Sequence, residues 1–235
     1  LDPLPAGWRA DLAVTELDLR PLERRVVALH VAVDGSIGGR GAFYGQTVTV
    51  RGAFGASGET LLAFRLACEP SVVKPAQEVP VPSALQAGAW GDNIVGGARM
   101  AHELRDGRMV FTMDFGEQDP WGYPRLKLAA GERPPAGFDG MKADVEILEG
   151  AGELRAQFLE DGGSAYLADL AYDGKRGGRQ TVVAVFDRAG WAPYSRADDD
   201  GALSPNEIGG LMVGVNAKRN SRVRLAVGNV RWVKY

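Results

Sequence analysis

Two apolar runs near the C-terminal end constrain this chain more than any other feature. Residues 208–215 (IGGLMVGV) and 223–233 (VRLAVGNVRWV) alternate or cluster β-branched and apolar side chains, and the polar turn 216–221 separates them. Runs of this kind predict two strands joined by a turn. The rest of the chain follows suit. Thirty-two glycines and 13 prolines (32 Gly, 13 Pro) cut it into many short apolar runs, which favours an all-β sandwich over a helical protein. A length of 235 residues accommodates one large or two small domains with a sizeable core.

Taken in order, residues 1–68 form a strand-rich stretch. Apolar runs at 8–19, 25–34, 47–54 and 60–68 predict four or five strands, and the turns DGSIGGRG (34–41) and GASGE (55–59) separate the last three. The expectation is a small Ig-like sandwich, or the tail of an upstream β-domain. His30 lies within a strand run and is read as a structural strand residue. Residues 69–83 carry four prolines and no period, which predicts a semi-rigid linker. From 84 to 235, strand runs at 108–115, 123–129, 140–148, 152–160, 165–172 and 180–188 join the two closing runs. Eight strands fit a jelly roll.

Several function classes drop out. A net charge of −3 argues against broad nucleic-acid binding, which needs a basic surface. One cysteine, Cys68, makes no intrachain disulfide and no cysteine zinc cluster, and two histidines argue against a histidine-rich metal site. No apolar run reaches the length of a membrane span. Nothing matches a nucleophile elbow, a phosphate loop or an HExxH motif. The chain begins at Leu1, which is read as a mature or excised fragment.

A set of positions in the last third carries a resemblance. Trp191 opens a loop containing Asp198 to Gly201 and Leu203. Glu207-Ile208, Gly214-Val215-Asn216 and Gly228-Asn229-Val230-Arg231 follow. This series resembles the C-terminal end of β-jelly-roll carbohydrate-binding modules, above all family 11 and the related galactose-binding-like sandwiches. The resemblance implies a jelly roll over 84–235 that binds a polysaccharide or oligosaccharide without cleaving it. It also implies a covalently attached glycoside hydrolase, of which this chain is a C-terminal portion, and a bacterial secreted, cell-surface or periplasmic location. In such modules a structural calcium often lies near the first strand, where Asp92 or Glu103 would serve.

Candidate binding residues come from alternation and from loop aromatics. In 140–148, Met141, Ala143, Val145 and Ile147 point one way, leaving Lys142, Asp144 and Glu146 on the other face. In 152–160, Leu154, Ala156 and Phe158 are core, which turns Arg155 and Gln157 outward. Tyr166 follows on the next run. Trp121 and Tyr123 in EQDPWGYPR, and Trp191 and Tyr194 in GWAPYSR, sit in Pro/Gly-rich segments that hold a ring outside a strand. Sugars need both kinds of contact, polar groups for hydroxyls and aromatic faces for the C–H faces of the ring. The proposed set is therefore Trp121, Tyr123, Asp144, Glu146, Arg155, Gln157, Tyr166 and Tyr194. Trp191, Trp90 and Trp232 are read as packing residues.

Other readings stay open. Asp198, Asp200, Gly201, Leu203 and Glu207 fall on EF-hand positions, but Arg196 takes the first one and a β-run replaces the exit helix. Carboxylates such as Asp114, Glu117 and Glu160 leave room for a jelly-roll glycoside hydrolase. His102 with Tyr123 or Tyr166 leaves room for a polysaccharide lyase. A protein-binding adhesion or assembly domain is the third possibility.

Overall fold

A computed structural model of the protein describes residues 4, 7–20, 22–33, 46–54, 58–66 and 70–235. The chain divides into two compact units, Leu1–Lys74 and Pro75–Tyr235. In the first, β1 (Trp8–Leu12) pairs antiparallel with β2 (Leu29–Val33), and β3 (Gln46–Phe54) pairs antiparallel with β4 (Gly58–Leu66). The first two strands are shorter than the runs that predict them. Val14, Leu17, Leu19 and Val26 in the intervening stretch are exposed, so no packing holds them in a sheet. The glycine-rich turn 34–41, most of 55–59, and Cys68 lie outside the described residues.

The second unit is a two-sheet antiparallel sandwich. Its strands are β5 (Gln77–Pro80), β6 (Trp90–Gly91), β7 (Arg99–Arg105), β8 (Arg108–Asp114), β9 (Trp121–Gly122), β10 (Arg125–Lys127) and β11 (Gly140–Glu149). They continue with β12 (Glu153–Glu160), β13 (Ala165–Asp169), β14 (Gln180–Val185), β15 (Gly190–Trp191), β16 (Ile208–Asn216) and β17 (Arg222–Lys234). One sheet has seven strands in the order β15-β13-β12-β16-β10-β6, with β9 also on β16. The other has six in the order β14-β11-β17-β8-β7, with β5 also on β17. The two closing runs of the sequence thus enter different sheets.

The expected linker 69–83 needs correction in its second half. Gln77–Pro80 pairs with Arg231–Lys234, Pro82–Leu85 forms a 3-10 turn, and Val81 and Ser83 are buried, so the sandwich starts at Pro75 and not at residue 84. The prolines mislead because they sit where a missing N–H costs nothing, Pro80 at a strand end and Pro82 at the start of a helical turn.

Between the sheets lies one continuous core. Alternation places Met109, Phe111 and Met113 of β8 inside, with Met141, Ala143 and Val145 of β11 and Leu225 and Val227 of β17. Opposite them sit Leu154, Ala156 and Phe158 of β12 and Leu211, Val213 and Val215 of β16. Phe186 joins the layers, edge-on to Phe158 at 5.0 Å and 6.0 Å from Trp232. The buried indoles keep their N–H groups satisfied: Trp232 donates to the Glu132 carbonyl at 2.7 Å and Trp90 to the Ala84 carbonyl at 3.1 Å. A two-residue turn at Asp106-Gly107, both with positive φ, joins β7 to β8.

Candidate functional site

The outward face of the seven-stranded sheet is built in rows. Across it, Asp169 of β13 pairs with Arg155 of β12, which pairs with Gly214 of β16; in the next row stand Leu167, Gln157, Met212 and Arg125. Trp121 pairs with Asn216 at the end of β16. Strands β9 and β10 keep a single register against β16, so the gap at Tyr123-Pro124 is a local lift and not a slip. Pro124 has no N–H to give. The Tyr123 N–H turns away from β16 to the Asn93 carbonyl at 2.8 Å.

Gly214 makes that lift possible. A Cβ at this position would lie 2.2 Å from the Gly122 carbonyl oxygen and 2.5 Å from Tyr123 Cα and Cδ1. The tyrosine therefore lies directly on the glycine backbone, and its hydroxyl donates to Asn216 Oδ1 at 3.0 Å. Asn93 fixes the segment from the other side, with Nδ2 3.1 Å from the Tyr123 carbonyl and 3.1 Å from Met212 Sδ.

The result is a cleft of about 530 Å³. Trp121, Tyr123 and Tyr194 supply aromatic walls, and Arg155, Gln157, Met212 and Asn216 supply the floor. The Trp121 and Tyr123 rings are 6.5 Å apart and tilted by 37°. Trp121 is half-buried, Tyr123 is buried and Tyr194 is 68% exposed, so the walls run from fixed to open. Burial pushes the Tyr123 hydroxyl up to about 12, against the lowering effect of the Arg155 charge, so it stays a neutral hydrogen-bonding group. Arg155 donates from Nε to Asp169 Oδ1 at 2.9 Å, which fixes its guanidinium at the rim.

Gln157 stands apart. It is only 3% exposed, it lines the cleft, and its Oε1 has no hydrogen-bond partner among the described residues. A buried amide oxygen without a partner is costly, and such atoms are uncommon. The cleft as a whole offers flat apolar faces beside hydrogen-bonding groups. That suits a ligand carrying both kinds of surface.

Five of the eight residues proposed from sequence come together here: Trp121, Tyr123, Arg155, Gln157 and Tyr194. Three do not. Asp144 and Glu146 do face outward, but on β11 in the six-stranded sheet, where each is tied up. Arg179 donates to Asp144 at 2.6 Å and Thr181 at 2.8 Å, and Arg108 donates to Glu146. Tyr166 is 1% exposed in the core, where its hydroxyl donates to Asp198 at 2.5 Å. Burial and that bond push its hydroxyl far up.

Asn93, Asp119, Leu167, Met212 and Asn216 line the cleft without having been proposed. Asn216 had a signal, since it ends the Gly-x-Asn element, whereas Asn93 had none. Trp191 lies on the short edge strand β15 and donates to the Arg196 carbonyl at 3.1 Å, while Trp90 and Trp232 are core. His102 belongs to β7 in the other sheet, 3.2 Å from the Ala87 carbonyl, and shares no site with Tyr123 or Tyr166. Asp92 lies 3.4 Å from that histidine. Among the described residues no three His, Cys, Asp or Glu side chains gather into a group that could hold a metal ion.

The architecture is shared with known structures. The family 11 carbohydrate-binding module from Clostridium thermocellum, solved in complex with a β-1,3-1,4-mixed-linked tetrasaccharide, superposes with a TM-score of 0.55 at 17% identity. The match covers 67% of this chain and 95% of that one. This chain has a carbohydrate-binding-module-like jelly-roll fold. A second structure, the family 11 module of a cellulosomal cellulase from Clostridium thermocellum, gives a TM-score of 0.53 at 14% identity, over 69% of this chain and 97% of that one. These shares are close to the part of the chain taken up by residues 75–235. No protein-family model and no curated protein sequence matches the chain. No helix among the described residues is long and apolar enough to cross a membrane.

Proposed function

We propose that the sandwich binds a polysaccharide or oligosaccharide in the Trp121–Tyr123–Tyr194 cleft and does not cleave it. The observation that carries this reading is the cleft itself, three aromatic rings standing beside the Arg155, Gln157 and Asn216 side chains on one sheet face. The polar side chains pair with sugar hydroxyls while the rings take the C–H faces of the pyranose. The likeness in fold to family 11 modules supports the same reading. Binding is favoured over hydrolysis because glycoside cleavage needs two opposed carboxyl groups, and Asp119 is the one carboxylate among the residues lining the cleft. The biological role that fits is to hold an attached glycoside hydrolase at its substrate outside the cell, raising the local concentration of the pair.

Affinity electrophoresis of the intact chain against β-glucans, mannans, xylans and galactans tests this. Retention by at least one gel is expected, with a marked loss for Trp121→Ala at an unchanged melting temperature. Equal retention of that variant would remove the cleft from the reading. A reducing-sugar assay on the same panel is expected to stay at background, and turnover would make the chain an enzyme.

A further inference from the structure

The trough does not end at Met212. Its register partner Arg125 lines a second hollow of about 570 Å³, which continues along the same outward face past Leu159 and Gly209. Gln157 and Leu159 are successive outward pleats of β12, about 7 Å apart, so the two hollows adjoin. Arg125 and Lys127 project into the second one from β10. They too are successive outward pleats, and both are exposed. A glycine flanks each of them on one neighbouring strand, Gly91 beside Arg125 and Gly210 beside Lys127.

Charge pairing separates these two from the third cation on this face. Arg155 is held by Asp169, whereas neither Arg125 nor Lys127 has a side-chain ion-pair or hydrogen-bond partner among the described residues. The acids in the hollow are engaged elsewhere. Asp161 accepts from Arg133 at 2.5 Å, and Glu160 is buried and accepts the Ser204 N–H at 2.7 Å. Burial, with the nearby charges of Asp198, Glu207 and Asp200, pushes the Glu160 carboxyl up against the lowering effect of the Ser204 N–H.

We propose that the saccharide taken by this sheet is anionic, with Arg125 and Lys127 receiving its carboxylate or sulfate groups in the second hollow. The inference rests on the saccharide reading of the adjoining cleft. Two cations one pleat apart meet successive charged groups of a chain, while the aromatic cleft holds its uncharged ring faces.

The test is affinity electrophoresis of the intact protein with three probes: polygalacturonate, a sulfated galactan and a neutral mixed-linkage β-glucan. Each is run at low and at high salt, for the wild type and for the R125Q/K127Q double variant. The wild type is expected to favour an acidic probe, with retention that weakens as salt rises. The variant is expected to lose about fivefold on that probe and nothing on neutral glucan. Preference for polygalacturonate identifies the group as a carboxylate and preference for the galactan identifies it as a sulfate; either supports the proposal. Retention by neutral glucan alone, or an acidic-probe affinity that the double variant leaves intact, overturns it while leaving the saccharide reading standing. Retention by no saccharide overturns both.

Discussion

Gln157 and Gly214 make opposite demands on the same few square ångströms of sheet. Gln157 carries an amide oxygen that folding leaves unpaired, at a cost of about 1 kcal/mol or more. Replacing it by leucine, similar in size, is expected to raise the denaturant midpoint while weakening saccharide retention about tenfold, measured by chemical unfolding and affinity electrophoresis on one preparation. Gly214 has no slack. Gly214→Ala forces a methyl into the Gly122 carbonyl and the Tyr123 backbone, and is expected to cost about 2 kcal/mol or more in chemical unfolding. Strand alternation in the sequence was enough to turn Arg155 and Gln157 outward, and the Pro/Gly-rich setting picked out Trp121, Tyr123 and Tyr194. Tyr166 escaped because both faces of AYLAD are nearly apolar, so period two cannot say which one is core.

At the scale of elements, alternation assigns a face to a strand but not a sheet to that face. This is why Asp144 and Glu146 were grouped with Arg155, which lies on the opposite side of the sandwich. Asp144 instead locks the seam between β11 and β17. There the pairing skips from Lys142–Arg231 to Asp144–Gly228, and the extra residue on β17 lets Asn229, with positive φ, reach Asp144 at 3.2 Å. Burial raises the Asp144 carboxyl, but hydrogen bonds from Thr181, Arg179 and Asn229 outweigh it and hold the group below the usual range. A depressed folded-state pKa contributes stability above the ordinary value of about 3.9, and that contribution is lost as pH falls through the depressed one. Asp144→Asn is thus expected to melt lower than wild type at neutral pH, with the gap closing below about pH 4 in a series of thermal scans.

For the whole molecule, the eight-strand jelly roll expected from spacing grew into thirteen strands in two sheets, since the two-residue strands β6, β9 and β15 leave too short a pattern to read and β7 (RMAHELR) carries few apolar residues. The boundary was misplaced for a related reason. Four residues rich in neighbouring prolines form a strand only because β17 is there to pair with them. A fragment of residues 75–235 is expected to unfold in one cooperative transition, whereas one of residues 84–235, stripped of β5 and buried Val81, is expected to melt at a lower temperature. Calorimetry of the two fragments checks both.

Strand β17 is bordered on one side by β11 and on the other by β8 along its first half and β5 along its second. It is also made last of the thirteen. While the protein emerges from a ribosome, β5, β8 and β11 all wait without the partner that lies between them. Their ladders stay open to other chains until β17 has emerged. Assembly of this sheet is therefore dominated by pairings distant in sequence, the circumstance in which folding is slow and holding chaperones matter most.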